Sequence, residues 1–203
     1  VGASAQARLA LDIDHPLAVS KPAPNRRKIR RALEMVLEAE NPVLLLGGGV
    51  IVADACQEFV AAAEYLQVPV VTTVMGKGGI PANHPLYAGQ VGSQCNTPAG
   101  NKTFLDSDLV VGIGCRFSDR HTGTMDVYTR GRKFIHVDIE PTQIGRIFPP
   151  DLGIVSDARL ALQALLAEAR SMFPPRDPSE RVRGLPRLRQ RLARPWDFDQ
   201  VPI

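Results

Sequence analysis

The sequence predicts an α/β protein: a Rossmann-like three-layer sandwich around a mainly parallel sheet of about five or six strands. Three observations predict it. Short continuous apolar runs such as Val43–Leu46 and Leu109–Ile113 suit strands buried on both faces of a parallel sheet. Amphipathic helical stretches alternate with these runs, the pattern of βαβ units joined by right-handed crossovers. Each run also ends in glycine, hydroxyl or charged residues, and the carboxyl ends of strands are where open parallel sheets hold ligands.

Along the chain, residues 1–24 read as an extended interdomain linker, because Pro16, Pro22 and Pro24 break any helix. Asn25 is placed to cap a helix whose apolar face is Ile29, Ala32, Leu33, Val36 and Leu37, ended by Asn41-Pro42. The strand Val43–Leu46 follows and runs into Gly47-Gly48-Gly49. The next helix is expected to start at Asp54, with Gln57 completing a capping box and Cys56, Phe59, Val60 and Ala63 facing inward. Val68–Thr73, rich in β-branched residues, is the second strand.

Residues 74–102 are dense in Gly, Pro and Asn and read as one long loop, with a short helix around Pro98–Leu105. Leu109–Ile113 and Lys133–Val137 are the third and fourth strands, and Leu152–Val155 is a short fifth. Ser156 and Asp157 open a last helix with Leu162, Leu165, Leu166 and Ala169 on one side, stopped by Pro174-Pro175. An Arg-rich segment follows, a further helix interrupted near Gly184 and Pro186.

Composition narrows the function. At 203 residues, 44% hydrophobic and 22% charged, the chain is an ordinary globular domain with extensions, and it carries no signal-peptide pattern or apolar stretch of membrane-spanning length. Its start lacks an initiator Met and reads as an excised piece of a longer chain. Cys56, Cys95 and Cys115 are sparse and unpaired by spacing, which suits a reducing cytoplasm rather than a zinc or redox motif. His15, His84, His121 and His136 show no metal-ligand spacing. The net charge is +3, yet residues 26–31 hold five positives without an acid and residues 176–194 add a net five more. The remainder is therefore net −7, so an acidic body with basic flanks argues against a nucleic-acid-binding core.

Each strand tip has two readings. Gly47–Gly49 would let a ligand approach the backbone, but a tight βα turn needs glycine equally, and GGGV is not GxGxxG. Thr72 to Gly76 and Gly89-Gln90-Val91-Gly92 could line a flat ring or simply turn. Arg116 and Arg120 match phosphate geometry, or pair with an acid such as Asp119. Asp138 and Glu140 could accept from ribose hydroxyls, and Asp138 could equally cap the following turn. Taken together, the tips suggest a long nucleotide-like ligand across the sheet edge. No catalytic triad, carboxylate pair or activated cysteine accompanies them.

The motifs Gly112–Gly123 (GIGCRFSDRHTG) and His136–Arg146 (HVDIEPTQIGR), with Pro42–Gly49, Pro69–Gly78 and Asp151–Asp157, resemble the central domain of thiamine-diphosphate-dependent enzymes of the acetohydroxyacid synthase group. Arg120-His121-Thr122-Gly123 and Glu140-Pro141-Thr142-Gln143 pull toward its glyoxylate carboligase branch, with the acetohydroxyacid synthases close behind. The resemblance implies that residues 25–173 are an FAD-binding central domain and 174–203 a linker toward a C-terminal domain. It implies thiamine diphosphate and Mg²⁺ in flanking domains absent here, a dimeric or tetrameric parent, and an isolated domain without activity. It places Gly47, Gly48 and Gly49 by the ribityl-phosphate part of FAD, and Thr73, Val74 and Met75 by the flavin ring. Gly89, Gln90 and Val91 would approach from the long loop. Gly114, Arg116, Ser118 and Arg120 would meet phosphate and ribityl oxygens. Asp138, Ile139 and Gln143 would surround the adenosine end, with Ser156 and Asp157 nearby. Roles for Cys115 and His121 stay open. An NAD-binding domain and a flavin-free spacer are the alternatives.

Overall fold

The computed structural model describes residues 21–193, so most of the expected N-terminal linker and the end of the Arg-rich tail lie outside the described residues. The strands are β1 (Pro42–Leu46), β2 (Val70–Thr72), β3 (Tyr87–Gln90), β4 (Leu109–Ile113), β5 (Lys133–Asp138) and β6 (Leu152–Val155). They form one sheet in the order β3-β2-β1-β4-β5-β6, and every neighbouring pair is parallel. The apolar runs of β1 and β4 are buried along their whole length at the centre, as two-sided burial requires.

Helices cover both faces. The chain order supplies α1 (Arg26–Glu38), α2 (Gly48–Val52), α3 (Cys56–Leu66), α4 (Pro98–Leu105), α5 (Asp119–Thr122), α6 (Met125–Thr129), α7 (Ala158–Met172) and α8 (Glu180–Arg191). Asn25 caps α1 as expected, its Oδ1 accepting from the N–H groups of Arg27 and Lys28 at 3.0 and 3.3 Å. Ile29, Ala32, Leu33 and Val36 are buried against one face of the sheet with Phe59, Ala62 and Leu66 of α3 and Leu162 and Leu165 of α7. Leu37 is exposed, and Met35 takes its place in the core. On the other face Val43, Leu45 and Val110 pack with Phe104 of α4 and a cluster of Phe117, Tyr128, Phe134 and Phe148.

Three expectations need correction, and two short helices were not anticipated. The capping box at Asp54 and Gln57 does not form: α2 comes directly after Gly47, Asp54 turns the chain with φ +51°, and α3 starts behind Ala55 without a side-chain cap. The Asp54 carboxylate instead meets Arg159 of α7 at 2.6 Å. The long loop at 74–102 contains a strand, β3, whose Tyr-Ala-Gly-Gln sequence has no β-branched residue and is recruited by pairing with β2. Two short helices, α5 and α6, lie between β4 and β5, where no element was expected from the sequence. Lastly, α8 passes through Pro186 uninterrupted and buries Val182 and Leu185. Arg181 fastens it to the body of the domain by donating to the Pro42 and Thr103 carbonyls.

Candidate functional site

The chain leaves β1 toward β2 and leaves β4 toward β5, in opposite directions, so the carboxyl ends of these adjacent strands form the switch point of the sheet. A cleft of about 840 Å³ opens there, within the size range of ligand sites. Most expected site residues line it, from Gly48 and Gly49 through Met75, Arg116 and Arg120 to Asp157. Four do not: Gly47, Gly89, Gln90 and Gln143.

The first three of these four are held by the fold. A Cβ on Gly47 would sit 2.1 Å from the Gly114 carbonyl oxygen, so this glycine lets the β1 turn press on the β4 exit. Gly89 has φ +133°, and a Cβ there would meet the Thr97 hydroxyl at 2.0 Å. Gln90 accepts from Thr97 N–H, which seats α4 on β3. Gln143 lies in the 3-10 turn Pro141–Gln143 after β5, with its buried Oε1 unpartnered.

Around the cleft, residues divide by whether the fold uses their polar atoms. At the β6 exit, Ser156 Oγ donates to the Pro22 carbonyl at 3.0 Å, and Asp157 Oδ1 caps α7 by accepting from Arg159 and Leu160 N–H. Asp138 Oδ1 accepts from Glu140 N–H at 2.9 Å, the turn-capping alternative. Thr73 Oγ1 caps the turn Val74–Gly76. Val74 and Met75, by contrast, stand 49% and 70% exposed at the cleft lip, an apolar surface that the domain itself does not cover. Ile51 and Val52 of α2 extend that surface; in the sequence they fall in the stretch before a helix expected to start at Asp54, and nothing there gave a sign of them.

The β4 exit carries the charge. Arg116, Ser118 and Arg120 are exposed and line the cleft. Neither guanidinium has an ion pair or hydrogen bond among the described residues; Arg120 bonds only through its backbone, to Asp119 Oδ1 and Ser93 Oγ. Pairing with Asp119, the alternative to ligand binding, is therefore not what occupies these side chains. Phe117 is the packing member of the motif. Its φ is +50°, and its ring fills the space beside Gly112, where a Cβ would come within 2.5 Å of Cζ.

Cys115 is buried, and burial pushes its thiol up to about 12, so it stays protonated. His121 is half-buried. Its Nδ1 donates to the Val91 carbonyl at 3.1 Å, and its Nε2 accepts from the Tyr128 hydroxyl at 2.8 Å. Burial lowers its pKa to about 4, which keeps the ring neutral at physiological pH. Among the described residues no group of His, Cys, Asp and Glu is arranged to hold a metal ion, and no helix is long and apolar enough to cross a membrane.

A six-stranded parallel sheet covered by helices, with a cleft at its switch point, defines an α/β domain of the Rossmann type. The description "Thiamine pyrophosphate enzyme, central domain" matches residues 29–165. Glyoxylate carboligase of Escherichia coli O157:H7 is 49% identical over 197 residues, 95% of this chain and 33% of that protein. The probable acetolactate synthase large subunit of Methanocaldococcus jannaschii is 38% identical over 191 residues, 94% of this chain and 32% of that one. The acetolactate synthase large subunit of Corynebacterium glutamicum is 42% identical over 175 residues, 86% and 28% respectively. The chain belongs to the central-domain family of thiamine pyrophosphate enzymes, and it spans about a third of the length of these relatives.

Proposed function

We propose that this domain holds FAD within a thiamine-diphosphate-dependent carboligase. That enzyme would decarboxylate one glyoxylate and join the product to a second, giving tartronate semialdehyde and CO₂. The observation that carries the cofactor reading is the pair of unpartnered guanidinium groups, Arg116 and Arg120, on a cleft of about 840 Å³ at the sheet's switch point. A flavin dinucleotide needs both a phosphate site and cover for a flat apolar ring. The arginines would supply the first by bidentate contact, and exposed Val74 and Met75 would supply part of the second. Gly48 and Gly49 would admit the ligand close to the backbone. FAD would serve here as a structural part of the assembled site and carry no step of the carboligation.

The substrate reading rests on the 49% identity to a glyoxylate carboligase. Thiamine diphosphate and Mg²⁺ would be held by flanking domains in a cytoplasmic homodimer or homotetramer, and the domain alone would be inactive. An acetolactate-forming parent is the near alternative, and turnover of glyoxylate against pyruvate by the full-length enzyme decides between them.

A flavin-free spacer is the second reading. It is favoured by the capping roles of Ser156, Asp157 and Asp138, which need no ligand. Flavin content of the purified full-length enzyme separates the two. The cofactor reading expects a yellow protein that releases FAD on denaturation and loses most of it on Arg116→Ala. An active, colourless parent overturns it.

A further inference from the structure

Two walls of the cleft, the β3 exit at residues 91–95 and the β4 exit at residues 114–121, are far apart in sequence yet form one hydrogen-bonded unit. The His121 ring spans them: Nδ1 binds the Val91 carbonyl, and Nε2 binds the Tyr128 hydroxyl. Ser93 closes the loop from the other side, its N–H donating to the His121 carbonyl at 3.2 Å and its Oγ to the Arg120 carbonyl at 2.7 Å. Tyr128 is itself fixed among Phe104, Phe117, Phe134 and Phe148 in the core. Arg120 thus has a free guanidinium on a backbone pinned at its carbonyl and anchored one residue later to the core.

We propose that His121 is a positioning residue: with Tyr128 and Ser93 it fixes where Arg120 presents its guanidinium to an anionic, phosphate-bearing ligand in the cleft. The inference rests on the reading that FAD binds there. The ring's neighbours support a neutral, orienting part: the Tyr128 hydroxyl, the Val91 carbonyl and the Phe117 ring, with its centroid 6.4 Å away, carry no charge. A neutral imidazole with one donor and one acceptor is satisfied by these two partners, and no proton is left over for acid–base work.

A double-mutant cycle in the full-length enzyme tests this, with the FAD dissociation constant measured after flavin removal. Arg120→Ala is expected to weaken FAD binding about tenfold, the loss of a hydrogen bond to a charged group. His121→Ala should weaken it by a similar factor and add nothing further in the Arg120→Ala background. Losses that multiply, or an unchanged affinity in His121→Ala, overturn the proposal. Should His121→Ala fail to fold, Tyr128→Phe keeps the ring and removes only the hydroxyl; the same non-additivity with Arg120→Ala is expected, and additive losses reject the idea. A wild-type parent that takes up no FAD rejects the cofactor reading itself, a result distinct from additive losses in a flavin-binding enzyme.

Discussion

The β4 exit and the β6 exit stand at the same edge of the sheet and both line the cleft. They use their polar residues in opposite ways. At the β6 exit, Ser156 and Asp157 are buried, and each has local work: one holds the Pro22 segment, the other caps α7. At the β4 exit, the Arg116 and Arg120 side chains have no partners among the described residues, while the glycines and Phe117 around them are fixed by packing. The strand exits therefore mix residues that build the edge with residues that the edge presents. Only the second kind asks for a ligand, because a buried polar group already satisfied by the protein has no unmet demand.

The largest effect should come from the edge-building side. A methyl group on Gly47 has to displace backbone at Gly114, which cannot move without disturbing β4. Gly47→Ala is expected to cost about 3 kcal/mol or more, at the upper end of overpacking penalties. Urea unfolding followed by circular dichroism measures it. A midpoint equal to wild type would mean that the turn relaxes freely and that its glycine is there for a ligand instead.

Acid should reveal the next largest effect. The folded His121 titrates near 4, below the ordinary 6.5, so the unfolded chain takes up a proton through this range that the folded one refuses. The stabilisation is complete above pH 6.5 and fades as pH falls toward 4, by at most ~3 kcal/mol. The wild type should lose that stability between pH 7 and pH 4.5 to a greater extent than His121→Asn, whose side chain does not titrate. Equal losses in the two proteins would show that the ring is solvated and not the lock described above.

How much of this was legible in the sequence follows from which interactions are local. Strands β1, β4 and β5 were readable because continuous apolar runs leave few alternatives to two-sided burial. Strand β3 was not, since Tyr87–Gln90 has no strand signature and exists because β2 and α4 receive it. Asp54 read as a helix cap, but its left-handed backbone belongs to the turn between α2 and α3, which tertiary packing dictates. At the site, the charged and glycine positions could be found by type. The Asp157 cap on α7 was legible because its partners lie two and three residues on, whereas the hold of Ser156 on Pro22, 134 residues away, was not, because no spacing encodes that approach.

On the presenting side, Arg116→Ala should leave stability within about 0.5 kcal/mol of wild type, as for an exposed residue without partners, while reducing bound flavin. A thermal midpoint lowered by several degrees together with unchanged flavin would reverse its assignment and make it a builder. Asp157 is the mirror case, where stability rather than bound flavin should change. Asp157→Ala removes two N–H acceptor contacts at the start of α7 and should cost ~1 kcal/mol, a fall of about 2–4 °C in Tm for a domain of this size. Because its carboxylate lines the cleft, its flavin affinity is the sharper measurement. If affinity holds while Tm falls, the β6 exit is structural alone. If affinity drops by more than the cap accounts for, Asp157 serves both the helix and the ligand, and the two exits differ in degree rather than in kind.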